Sequence, residues 1–242
     1  MKFFSSVLLF ALASASLLSA ADPLTGFPFQ NETLRYKVNW PGGNSIGNVT
    51  LTAAKSGDVW NFDMAANVSV PLVPIADRYR SSSAGFNLCS VSLERLISHG
   101  SKKVTEKTEF DQKTNIARRR TLVPATDDKP AGGGTSELQL PNCAKDALTF
   151  QYFARREMGQ GRVPAAGRVF FGSAYDVKMV YTGAMDIPVA GKPVTTDHVN
   201  VSVKGPASDF TIEIFYARDP ARTPLLIKIP VAVGTVSLEL VR

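Results

Sequence analysis

The residue types that most often carry chemistry are sparse in this chain. His99 and His198 are the only histidines, and neither has a second histidine or a paired carboxylate at metal-binding spacing. Both read as surface or edge-strand residues. No nucleophile elbow of the form GxSxG occurs, since Gly172 and Ser173 have no following glycine in register. Asp127 and Asp128 fall in a stretch too loose to hold a general acid or base. The run Gly132, Gly133, Gly134 lacks the lysine of a phosphate-binding loop and does not lead from a strand into a helix. These positions therefore yield no catalytic residue, no metal site and no cofactor.

Charged and aromatic residues mix in two segments, Asp77 to Arg80 and Tyr216 to Arg222, and again between Asp146 and Arg155. Arg78, Tyr79, Tyr152, Arg155, Asp219 and Arg222 are the candidates either for the rim of a ligand mouth or for ion pairs that brace strand ends. Bracing is the commoner use of such pairs. The knot Arg118, Arg119, Arg120 is expected on a strand, where successive side chains point to opposite faces, and no base-stacking aromatics accompany it. Nucleic acid is thus not an expected partner. Asn31, Asn48, Asn67 and Asn200 each open an N-x-S/T sequon, which matters only in a host that glycosylates exported chains.

The beginning of the chain speaks to compartment. Met1 and Lys2 precede the apolar run Phe3 to Leu18, followed by the small residues Ser19, Ala20 and Ala21. This reads as a signal peptide, residues 1–21, cleaved after Ala21. The run is short for a membrane span and no stop-transfer segment follows, so no transmembrane segment is expected. Asp22 stands where a lipoprotein would need cysteine, which argues against a lipid anchor. Residues 22–242 are then expected to form a single exported β-rich domain in the periplasm or outside the cell. The net charge of +6 for the whole chain is spread along it, which favours weak attraction to anionic surfaces. In an oxidising compartment Cys89 and Cys143 are expected to pair, and closing so long a loop stabilises a fold by about 4 kcal/mol in the chain-entropy picture.

Alternation dominates the rest. Leu34, Tyr36, Val38 and Trp40 are apolar while Thr33, Arg35, Lys37 and Asn39 are polar, the signature of a half-buried strand. Val49 to Ala53 and Trp60 to Val70 repeat it, with short polar turns between, and so do five segments from Tyr175 to Leu240. Further strands are expected at 78–86, 93–99, 103–111 and 115–122. Only Ala147, Leu148, Phe150, Phe153 and Ala154 recur at helical spacing, behind a cap at Asp146. One short helix, Asp146 to Met158, is predicted. Pro124 to Ser136, with its triple glycine, reads as a mobile surface loop.

Taken in order, Glu32, Thr33, Leu34, Tyr36, Val38 and Trp40; Phe110 and Asp111; Asp146, Leu148, Tyr152, Phe153 and Arg155; and Tyr216, Asp219, Arg222, Pro224 and Leu225 give the chain a likeness that spans nearly all of residues 22–242. It resembles the family catalogued as domain of unknown function 3108, found in exported bacterial proteins. That resemblance implies an exported, mostly β chain and no catalytic residue. At the level of fold alone the pattern is also similar to the half-barrels of periplasmic lipoprotein carriers.

Many strands with one apolar face each must curl or stack to hide it. The expected fold is mainly β, a curled antiparallel sheet forming an open barrel or half-barrel with one short helix over an end or the concave face. A two-sheet β-sandwich is the alternative. Tyr36, Val38, Trp40, Trp60, Phe62, Met64, Val177 and Met179 would line the inside. A concave face this apolar either fills itself or receives a ligand. Non-catalytic binding of an apolar or lipid-like ligand in the envelope leads. A structural or assembly module that meets envelope protein or glycan partners is the alternative, followed by a hydrolase of envelope material.

Overall fold

The computed structural model describes residues 31–70, 73–126 and 129–241; the signal-peptide reading and Asp127 and Asp128 lie outside them. The strands are β1 (Glu32–Asn39), β2 (Ser45–Ser56), β3 (Val59–Val70), β4 (Val73–Ala84), β5 (Cys89–His99), β6 (Lys102–Asp111), β7 (Ile116–Val123) and β8 (Gly132–Gln139). A two-residue β9 (Lys145–Asp146) leads into the helix α1 (Ala147–Gly159). Then follow β10 (Gly167–Phe170), β11 (Ala174–Val189), β12 (Lys192–Gly205), β13 (Ser208–Ala217), β14 (Pro224–Val231) and β15 (Gly234–Leu240).

All of these strands belong to one 15-stranded sheet of order β8-β7-β6-β5-β4-β3-β2-β1-β15-β14-β13-β12-β11-β10-β9. Every neighbouring pair is antiparallel except β9 with β10, which is parallel. Two consecutive runs of hairpins are thus joined through the pairing of β1 with β15, where Tyr36 lies opposite Leu240 and Val38 opposite Leu238. The sandwich is set aside, because no second sheet exists among the described residues.

The sheet curls without closing. Register shifts at Val38/Asn39, Ser82/Ser83, Tyr181/Gly183 and Phe215/Tyr216 bend the strands locally, as bulges do. Its two edges, β8 and β9, are only five residues apart in the chain yet share no ladder. Instead the connecting segment is pinned from below. Ser90 N donates to Ala144 O at 2.9 Å, Leu140 N to Asn115 O at 2.9 Å, and the Gln112 amide to Ser90 O and Ala144 O at 2.7 and 3.1 Å. The Cys89–Cys143 disulfide, with a Cα–Cα distance of 4.7 Å, fastens the same seam.

Period-two burial explains which face turns inward. Leu34, Tyr36 and Val38 on β1, Val49, Leu51 and Ala53 on β2, and Trp60 and Phe62 on β3 are buried, while Thr33, Arg35, Lys37 and Asn61 beside them are exposed; Asn39 at the end of β1 is buried. α1 lies on this concave face. Its Leu148 and Tyr152 join the cluster of Tyr36, Trp60 and Phe62, and the Tyr152 ring stacks on Phe62 at 4.3 Å. The opposite stripe of the helix, through Ala154 and Met158, packs with Val169, Val177, Met179 and Val199.

One expectation is corrected. The triple glycine is not a loop: Gly132, Gly133 and Gly134 open β8 and pair with Val123, Leu122 and Thr121. At Gly133, φ is +142°, and a β-carbon there would collide with Thr121 O, so the ladder forms because the side chain is missing. The strands β9 and β10 also escape the sequence reading, being too short to show a period.

Candidate ligand-binding cavity

Between α1 and the concave face of the second hairpin run lies a cavity of about 510 Å3. Its walls are the inward rows of β11 to β15, with Val49, Leu51 and Met64 from the first run and Ala147, Phe150, Gln151 and Ala154 from the helix. Those positions follow i, i+3, i+4, i+7 spacing, so one stripe of α1 forms most of the roof, with Leu148 beside it. Gln151 interrupts that stripe. Its Nε2 is buried and has no hydrogen-bond partner. Tyr175, Tyr216, Gln151 and Ser208 bring the polar side-chain atoms, and among the described residues the lining holds no carboxylate, histidine, lysine or arginine.

Burial is graded along β12, β13 and β14. On β13 Tyr216 is buried whereas Ile214, Ile212 and Phe210 are half-buried; on β14 Pro224 is buried and Ile227 and Ile229 are half-buried; on β12 Val199 and Val201 are buried and Val203 is half-buried. The cavity therefore has a sealed floor at the end where β13 turns into β14 and opens at the end of the β12–β13 and β14–β15 turns. Apolar side chains left half-exposed in one concave patch are uncommon in a self-contained fold.

The floor is built from buried aromatic and charged groups. Arg155 is completely buried; its guanidinium donates to both carboxylate oxygens of Glu32 at 2.7 Å and from Nε to Ala221 O at 2.9 Å. It lies over the Tyr152 ring at 5.1 Å. Tyr36 Oη donates to Pro224 O at 2.8 Å. Burial pushes the phenols of Tyr36, Tyr152 and Tyr216 well above the usual tyrosine range, even though Arg155 pulls them down, so all three stay protonated.

The helix start is anchored as firmly. Asp146 caps α1, accepting from Leu148 N at 3.0 Å and Thr149 N at 3.1 Å. It also accepts from Ser81, Ser90 and Thr149 hydroxyls at 2.6, 2.5 and 2.9 Å. Complete burial raises its carboxyl pKa, and these donors act against the rise. Just before it, Lys145 Nζ donates to Cys143 O at 3.1 Å and sits over the Phe153 ring at 4.3 Å. Burial, with Arg156 adding to it, lowers the Lys145 ammonium to about 8.

None of the candidate residues from the sequence lines the cavity. Arg78 pairs with Asp63 at 2.9 Å on the outer surface. Tyr79 is a core residue whose hydroxyl donates to Asp77 at 2.7 Å. Tyr152 and Arg155 lie beneath the cavity floor. Asp219 folds its own turn, accepting from Thr223 N at 2.9 Å and Thr223 Oγ1 at 2.7 Å, and Arg222 reaches Asp197 at 2.5 Å. Among the inward residues expected, Met64, Val177 and Met179 do line it, whereas Tyr36, Trp60 and Phe62 fill the neighbouring core. Gln151, the polar residue on the apolar stripe of the helix, is the sequence signal that marks this cavity.

The histidines serve sheet faces. His99 Nε2 is 3.0 Å from Asp77 Oδ2; His198 stacks on Phe215 at 4.4 Å, with Thr182 Oγ1 2.6 Å from Nδ1. No group of His, Cys, Asp and Glu among the described residues could hold a metal ion. Nor is any helix among them long and apolar enough to cross a membrane.

Comparisons agree with this architecture. A crystal structure described as a β-barrel-like protein of domain of unknown function DUF1849 from Brucella abortus superposes with a TM-score of 0.59 at 10% identity, covering 87% of this chain and 95% of that one. At that identity the likeness concerns fold alone. No curated protein matches the chain. The family described as "Protein of unknown function (DUF3108)" matches residues 35–241. With nearly the whole described sheet inside that match, this chain belongs to the DUF3108 family.

Proposed function

We propose that this protein binds an apolar ligand of the acyl-chain type between α1 and the sheet, without transforming it, in a compartment outside the cytoplasm. The observation that carries the reading is the cavity of about 510 Å3 walled by aliphatic and aromatic side chains. Its size falls within the roughly 300–1,000 Å3 of small-molecule sites. The absence of carboxylate, histidine, lysine and arginine from the lining among the described residues supports binding over catalysis. Gln151 Nε2 supports the acyl assignment, because a buried amide donor without a partner costs about 1–3 kcal/mol that a ligand carbonyl would recover. The disulfide and the leader-like residues 1–21 support export.

The test is native mass spectrometry of protein purified from its own host, paired with titration of a fluorescent fatty acid. A co-purifying acyl lipid and saturable probe binding are expected, both lost in Ile212→Trp, which fills the cavity from β13. Wild-type protein that carries no lipid and gives no saturable signal overturns the reading.

A further inference from the structure

We propose that the open end of the cavity docks on a lipid bilayer, with the β14–β15 hairpin entering the interface beside Val73 and Pro74 of β4. This rests on the acyl-ligand reading, since a ligand held in such a site is exchanged most directly with a membrane. Most turns at the closed end are charged, apart from residues 85–88, whereas at the open end charge is confined to turns such as β12–β13 with its Lys204–Asp209 pair. At the closed end the tips carry exposed Asp58, Lys113, Lys192 and Arg218. At the open end two tips carry no charge. From Ile229 to Val236 the sequence has no ionisable residue, and none lies between Asn67 and Ala76.

The described residues of these tips are exposed as well as apolar. Val233 is 63% exposed, Val231 39% and Val73 38%, and Pro230, Ala232 and Pro74 beside them are exposed too. Large apolar side chains at hairpin tips facing only water forfeit the free energy that burial would return, about 25 cal/mol per Å2. The same strands lead straight inward: Val231 follows Ile227 and Ile229 of the cavity wall on β14. The outer tip and the cavity lining are therefore one continuous apolar surface. Phe86, exposed at the far end, differs because the Arg156 guanidinium covers its ring at 4.6 Å.

Charge favours a bilayer over a second protein. Gly100 N donates to Pro74 O at 2.9 Å, which places the β5–β6 turn against the β3–β4 hairpin, and the exposed Lys102 and Lys103 follow that turn. Apolar tips flanked by lysines suit an interface whose acyl region lies under anionic headgroups. No helix is needed, because insertion to headgroup depth leaves the hairpin ladder intact.

The experiment is flotation of the intact protein with vesicles of mixed phosphatidylethanolamine and phosphatidylglycerol, using wild type and Val231→Asp/Val233→Asp. Wild type is expected to float, and the double variant to bind about tenfold more weakly or less, with thermal unfolding and fatty-acid probe binding unchanged. Wild type that stays in the pellet, or a variant that floats as wild type does, overturns the proposal. So does wild type that is dimeric without vesicles and becomes monomeric in the variant, since the tips would then meet a second copy. Probe binding reads the cavity separately: its loss in wild type refutes the ligand reading, whereas failed flotation with probe binding intact refutes only the docking surface.

Discussion

Replacing Glu32 with alanine should reveal how much the cavity floor depends on one buried charge. Arg155 is completely buried on α1, and its guanidinium is balanced by the Glu32 carboxylate through two bonds of 2.7 Å. Its Nε also donates to Ala221 O at 2.9 Å. The Glu32 side chain is 13% exposed, so little water screens the pair. Removing the carboxylate takes the salt-bridge partner from a buried cation, and such single deletions cost about 3–5 kcal/mol. That is a large share of the roughly 5–15 kcal/mol that holds most folds together. At about 2–4 °C per kcal/mol for a chain of this size, the midpoint of thermal unfolding should fall by about 10 °C. Exchanging both partners, Glu32→Leu with Arg155→Met, removes the charges together and should recover most of the loss. The assay is urea unfolding of wild type, the single variants Glu32→Leu and Arg155→Met, and their double, closed as a mutant cycle, with Glu32→Ala measured alongside. A Glu32→Ala loss below about 1 kcal/mol, or additivity of the cycle's single variants, would refute a buried, mutually dependent pair.

Two further perturbations probe the seam and the helix start. Lys145 in the unfolded chain keeps its proton to about 10.5, whereas the folded protein releases it near 8. Between those values the unfolded state binds more protons, so folding stability should rise with pH across that window. Lys145→Met should therefore exceed wild type in stability at pH 7, with the gap closing toward pH 10.5; parallel pH profiles in urea melts would contradict it. Gly172, in the turn between β10 and β11, has φ of +72°, and a β-carbon there would collide with the Arg95 guanidinium, which sits over Phe171 at 4.4 Å. Gly172→Ala should cost about 2–3 kcal/mol. Gly161→Ala is the control, because Gly161 has φ of +75° with open space around it, and should lose only the conformational part, about 1 kcal/mol. Equal losses by calorimetry would show that the contact with Arg95 does not hold the sheet together.

Local pattern determined much of this protein. Alternation along β1, β2 and β3 and along the strands after Tyr175 fixed which residues face inward, because a pleated strand sends successive side chains to opposite faces. The helix and its cap were equally legible, since Asp146 precedes an apolar repeat of the right period and satisfies the first free N–H groups. The pairing of Cys89 with Cys143 followed from compartment and number. Partnership across the fold was not legible. Arg155 meets Glu32, 123 positions away, and Arg222 meets Asp197, although acidic residues stand closer to each in sequence. The cavity is likewise a tertiary outcome: the same alternation packs Tyr36, Trp60 and Phe62 into a dense core and leaves Ile212, Ile227 and Ile229 lining open space. What separates the two is how tightly the sheet bends beneath the helix. That curvature is set by bulges within hairpins, by the pairing of β1 with β15 and by the pinned edges, and the last two join residues far apart in the chain.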